Sequence, residues 1–191
     1  MSTTIETNAT GIPSGKLGIW LFLASEVMFF TGLLGAAIVL RAGYPGWKEA
    51  AHHLNVNLAA FNTFVLLTSS LTMALAVAAV ERKDLKNLRL FLGITILLGL
   101  AFLGIKGIEY ADKFAHNHTP GHGLFWDSYF MLTGFHGLHV IGGAIANLWV
   151  LILTFRRDFF DRAEQRVEQA GLYWHFVDVV WIFLFPILYL I

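Results

Sequence analysis

Five long apolar stretches alternate with short polar connectors along this chain, at roughly residues 17–40, 57–80, 88–111, 125–155 and 171–191. Each reaches the ~20 residues needed to cross a hydrocarbon core about 30 Å thick. With no water to satisfy their backbones in such a core, all five must be helical. The pattern therefore predicts an all-α, polytopic membrane protein: a bundle of five transmembrane helices. The run after Lys16 is too long for a signal peptide and lacks a convincing small-residue cleavage site, which marks it as a retained span. Residues 1–15, rich in Ser, Thr and Asn, read as a short disordered tail. That leaves 16–191 as one transmembrane domain. The connectors are long enough only for turns or a surface helix, so no soluble domain is expected.

Lys and Arg gather in two of the four connectors. The second carries Arg82, Lys83, Lys86 and Arg89, and the fourth carries Arg156, Arg157, Arg162 and Arg166. The first has only Arg41 and Lys48, and the third only Lys113. The positive-inside tendency places the rich connectors in the cytoplasm, with the N-terminus inside and Ile191 outside.

Composition agrees with the membrane reading. Hydrophobic residues make up 57% and charged residues 14%, with a mean hydropathy of +0.64, too little polar surface for a soluble sphere. Thirteen basic residues balance 13 acidic ones, so no nucleic-acid footprint exists. The absence of cysteine excludes disulfides, thiolate-held zinc, iron–sulfur clusters, thioether-attached haem and a thiolate-bridged copper pair. Any redox centre would have to hang on histidine.

Polar residues inside the spans are the candidates for function, because each is expensive to keep there. Glu26 lies about 15 Å into the first span at helical rise. A carboxyl so deep is expected to be protonated or hydrogen-bonded. It ties two helices together, or exchanges protons or meets a lipid headgroup. The hydroxyl and small residues of the second span, Asn62 to Thr72, point to close helix packing. On the third, Lys106 and Glu109 have the spacing of a structural ion pair, the lysine stem reaching toward the interface. His136 and His139 stand one turn apart among the glycines of the fourth span, which predicts a packed, polar-faced hub. On the last, His175 and Asp178 are spaced to hydrogen-bond each other, Trp174 suits the interface and Trp181 the interior. Pro186 is expected to bend the final turn. His116, His118 and His122 crowd a Pro-Gly loop too loosely built for a preorganised metal site.

Three functions fit intramembrane histidines. A haem b cytochrome needs axial imidazoles at matching depth, and His136 or His139 with His175 would overlap only partly. A transporter needs broken helices or a polar pathway. A non-catalytic bundle that binds lipid and docks on a redox partner needs neither.

Four motifs carry a resemblance: S-E-V-M-F-F-T-G at 25–32, G-I-E-Y at 107–110, T-G-F-H-G-L-H-V-I-G-G at 133–143 and Y-W-H-F-V-D-V-V-W at 173–181. In this order, over nearly the whole chain, they resemble subunit III of the haem-copper respiratory oxidases, in its short five-helix bacterial form lacking the first two spans. The resemblance implies a non-catalytic subunit of a proton-pumping terminal oxidase in the bacterial cytoplasmic membrane. It implies no haem or copper in this chain, those cofactors residing in subunits I and II, with subunit I packed alongside. Cytochrome c is the implied donor; a quinol oxidase or an accessory subunit of a nitric oxide reductase are the alternatives. Bound phospholipid, support of proton uptake and stability in subunit I, and an oxygen route are further implications. Glu26, Glu109, His136, His139, His175 and Asp178 match the family's buried polar set. Lys106 stands where many members have a neutral residue, which again points to a pair with Glu109.

Overall fold

The computed structural model describes residues 14–156 and 163–190. Nearly all of the expected tail, together with Arg157 and Arg162, lies outside them. Among the described residues six α-helices follow in order: α1 (Ser14–Gly43), α2 (Trp47–Ala51), α3 (Val56–Glu81), α4 (Leu85–Ala115), α5 (Leu124–Leu153) and α6 (Ala163–Phe185), with a π-helical turn (Pro186–Leu190) after α6. Five of these segments, with α6 and the turn counted together, are long and apolar enough to cross a membrane.

Local chemistry sets the boundaries. Asn55 caps α3 by accepting from Leu58 N at 3.0 Å. Asp84 caps α4 by accepting from Lys86 N and Asn87 N at 3.1 and 3.2 Å. These amide bonds, that from Asn87 foremost, hold the Asp84 carboxyl below its usual range. The loop before α5 turns on Gly121 and Gly123, whose positive φ values of 92° and 132° suit glycine. Pro186 has no amide hydrogen to continue the α ladder, and the chain changes to π geometry there, completing the final turn rather than ending the helix.

The start of the last span differs from the expected pattern. Helix α6 starts at Ala163 rather than near residue 171. Hydropathy locates the bilayer, whereas this helix runs on because Ala163, Val167 and Ala170 bury one face, and Glu168 pairs with Lys16 of α1 at 2.7 Å. The short α2 is a connector helix of the kind the connector lengths allow, though its position was not specified; it is anchored by Trp47, edge-on to Phe125 with ring centres 5.0 Å apart.

Helices α3 to α6 form the core, and α1 leans on α5 and α6. The fourth span, α5, borders α4, α6, α1 and α2, and at its side α6 borders α3, α5 and α1. Trp174 of α6 is 1% exposed, a correction to the interfacial position expected for it. A Cβ built on Gly99 of α4 would come within 2.6 Å of this indole, and one on Gly143 of α5 within 2.7 Å. The indole nitrogen donates to Ser69 Oγ of α3 at 3.1 Å. The tryptophan is buried because two glycines on facing helices leave a slot for it, with a hydroxyl at the slot's end to satisfy its N–H.

Because the indole is flanked on both sides, it cannot shift away from an added side chain. Gly99→Leu or Gly143→Leu should destabilise the bundle by about 1–3 kcal/mol. Gly104→Ala, where an added Cβ meets nothing within 4 Å, should change it by less than about 0.5 kcal/mol. Thermal unfolding in detergent checks both.

Candidate functional site

Lys106 of α4 is only 7% exposed, so its stem turns inward instead of reaching the interface. Its ammonium donates to Glu109 Oε2 at 2.9 Å, Tyr189 OH at 2.8 Å and Tyr129 OH at 3.2 Å. Tyr189 in turn donates to Glu109 Oε1 at 2.7 Å. The rings of Tyr129, Tyr189, Tyr110 and Trp181 surround the charge at 5.1–5.7 Å. Three donors on one ammonium and an aromatic cage explain the direction of the lysine: the bundle interior satisfies it. Tyr189 sits in the π-helical turn, so this network also pins the end of the last span.

Glu26 of α1 meets His139 of α5, Oε2 to Nε2, at 2.9 Å. The other imidazole nitrogen, Nδ1, lies 2.7 Å from the Phe135 carbonyl, and Tyr173 OH of α6 donates to the His139 carbonyl at 3.2 Å. The carboxyl deep in the first span is thus one side of a three-helix tie. Nothing in helical spacing could have named its partner, 113 residues away.

His136 is sealed inside the protein at 1% exposure. It stacks on Trp181 at 5.0 Å and meets Phe102 edge-on at 5.7 Å. It thus faces protein, as Trp174 does, in keeping with the buried polar set. His175 does not bond Asp178 as its spacing suggested; its Nδ1 lies 2.6 Å from Ser70 Oγ across the α3–α6 seam. A hydroxyl on the neighbouring helix is closer to the ring than a carboxyl three residues along its own. Asp178 is 5% exposed, and its Oδ1 is enclosed with no hydrogen-bond partner among the described residues.

At the Arg89 end of the bundle, the Arg89 guanidinium donates to Thr154 Oγ1 at 3.1 Å and to the Thr154 carbonyl at 2.5 Å, closing the last turn of α5. Near that end a cavity of 340 Å³ opens between α1, α5 and α6. Ile19, Phe22, Trp149 and Tyr173 make it mostly apolar, and Arg166 and Gln169 add polar groups.

At the opposite end, Lys113 donates to the His53 carbonyl at 2.8 Å and to Asp112 Oδ2 at 3.0 Å, contacts the sequence did not reveal. His118 lies flat on Trp126 at 4.4 Å and beside His53 at 4.9 Å. Among the described residues no group of three or more His, Asp or Glu side chains is arranged to hold a metal.

Lys106→Met strands the Glu109 carboxylate in the core and should destabilise the protein by about 3–5 kcal/mol. The double change Lys106→Met/Glu109→Leu should lose less than that single one, as a double-mutant cycle in detergent would show. His118, in the connector outside the spans, is held below the ordinary imidazole value of 6.5 by partial desolvation first, then by His53, Lys113 and His116. The unfolded chain therefore takes up this proton at higher pH than the folded one. The contribution of the contact to stability is complete above about 6.5 and declines as pH falls below it. NMR titration of His118 should place its midpoint under that of an exposed histidine, and His53→Ala should raise it.

Comparison with known proteins places this geometry in a family. The model of the family described as cytochrome c oxidase subunit III matches residues 6–191. The chain is 40% identical to cytochrome c oxidase subunit 3 of Corynebacterium diphtheriae, over 92% of this chain and 87% of that one. It is 36% identical to the probable cytochrome c oxidase subunit 3 of Mycobacterium leprae over the full length of both. It is also 36% identical to the quinol oxidase subunit 3 of Bacillus spizizenii, over 91% of this chain and 85% of the other. Five membrane-spanning helices, motifs in four of them and a match over nearly the whole length agree: the chain belongs to the cytochrome c oxidase subunit III family.

Proposed function

We propose that this chain is the non-catalytic subunit III of a proton-pumping terminal oxidase that passes electrons from cytochrome c to oxygen, set in a bacterial cytoplasmic membrane. The single observation that carries the reading is the family match over residues 6–191. The arrangement of the histidines supports it: His139 is tied to Glu26, His175 to Ser70, and His136 is enclosed by aromatic rings. Three imidazoles used in this way serve helix packing, and the haems and copper belong to subunits I and II. The Arg-rich connectors face the cytoplasm, so α1 begins inside and the π-helical turn ends outside.

In this reading the cavity between α1, α5 and α6 takes a phospholipid. Its apolar wall suits an acyl chain, and Arg166 at the cytoplasmic end suits the phosphate, an attraction of about 1 kcal/mol per basic residue near the surface. Glu26 and His139, partly exposed, offer the other polar contact to lipid. The bundle braces subunit I, steadies its proton uptake and its lifetime in turnover, and brings in oxygen dissolved in the bound acyl chains.

A quinol donor is the second reading, favoured by the quinol oxidase relative at 36% identity. The donor site lies on subunit II in either case, and copper analysis of the complex that co-purifies with this chain separates the two.

His139→Leu and His175→Leu should leave the haem absorption bands of the assembled oxidase unchanged, whereas a lost or shifted band would assign those imidazoles to a cofactor. Arg166→Gln should lower the phospholipid retained per complex after detergent washing, measured by mass spectrometry, and shorten the time before turnover inactivates the enzyme.

A further inference from the structure

One face of the bundle carries a polar atom that nothing in the bilayer can satisfy. Ser70 lies 14 residues after the start of α3 and 11 before its end, which is about 16 Å from the nearer end at helical rise. His175 Nδ1, 2.6 Å from Ser70 Oγ, lies at the same depth. Both therefore sit near the bilayer midplane. His175 is partly exposed, and its Nδ1 is engaged by Ser70. Its Nε2 has no partner among the described residues and is not among the polar atoms they enclose, so it reaches the outer surface of the α3–α6 groove. Whichever nitrogen holds the proton, Nε2 retains one hydrogen bond to make.

Other polar groups on the membrane-facing surface manage differently. Ser25 and Thr68 donate to carbonyls of their own helices, Phe22 and Phe64. His139, in the groove beside α1, has partners at both ring nitrogens. Acyl chains offer no donor or acceptor, and headgroups lie about 15 Å from the midplane. An imidazole nitrogen facing hydrocarbon costs several kcal/mol, so such groups face protein.

We propose that the α3–α6 groove bearing Ser70 and His175 is the seam where this chain meets another membrane-spanning subunit of the oxidase. A hydroxyl or amide side chain of that subunit bonds His175 Nε2. Either type can donate or accept, which suits both tautomers of the ring. Leu67 on α3 and Val179 and Ile182 on α6 share the strip by helical spacing, and their exposures of 42%, 48% and 44% give the apolar surround that a desolvated hydrogen bond needs. The proposal rests on the reading of this chain as an oxidase subunit, and the test separates the two.

The assembled oxidase is purified through a tag on this chain, with the photoreactive p-benzoylphenylalanine at Val179, at Ile182, or at Leu138 on α5 as a control face. Haem recovered with the tag reports subunit membership in every sample, independently of where the probe attaches. On irradiation, Val179 and Ile182 should give adducts to a different membrane subunit, while Leu138 should give lipid adducts. Adducts of Val179 and Ile182 only to lipid, or only to a second copy of this chain, with haem still co-purifying, would overturn the seam. Separately, His175→Leu should raise the loss of this chain from the complex during detergent washing roughly three- to thirtyfold. His175→Gln, which keeps a hydrogen-bonding side chain, should restore retention. Equal retention of the leucine and glutamine variants would also overturn it.

Discussion

One indole fixes the helix arrangement. Trp174 can lie at the crossing of α3, α4, α5 and α6 only because Gly99 and Gly143 leave room on either side and Ser69 accepts its N–H. In a bilayer, where hydrophobic burial does not drive helices together, this combination of shape fit and an internal hydrogen bond supplies the specificity. The depth of the tryptophan sets the registers of the other helices. Those registers bring Trp181 Nε1 within 2.9 Å of Thr63 Oγ1 and His175 within reach of Ser70.

Polar groups then act as ties between elements that packing has already aligned. Lys106 and Glu109 fasten the C-terminal turn through Tyr189, Glu26 and His139 fasten α1, and Arg89 closes the end of α5. The outer loop is held separately, by Lys113 on the His53 carbonyl and by His118 on Trp126. Helix α1 has the least packing support of the five spans and relies most on such ties. The lipid proposed for the neighbouring cavity would reinforce it.

How much of this was legible in the sequence depended on whether the governing physics is local. Span positions follow from hydropathy, and the pairing of Lys106 with Glu109 from a three-residue spacing. Partners across helices were not legible. Spacing suggested Asp178 for His175, but the crossing of α3 and α6 brought a hydroxyl closer. Lys106 was expected to reach outward because it stands near a helix end; the tyrosines that draw it inward come from α5 and the C-terminal turn. Trp174 read as interfacial because tryptophan is common there, and only the coincidence of two glycines on other helices buries it. The five-residue α2 has no period to detect. The four motifs were different in kind: they showed the family without showing which of their residues touch.

The central proposal is that imidazole and carboxyl groups in these spans join helices, subunits and lipid rather than hold a redox centre. The most direct measurement is the metal and haem content of this chain separated from its partners in mild detergent, read by elemental analysis and by its visible spectrum. The account predicts neither iron nor copper in stoichiometric amount and no Soret band. A haem or copper ion retained at one per folded chain, and lost on replacing His136, His139 or His175, would contradict it.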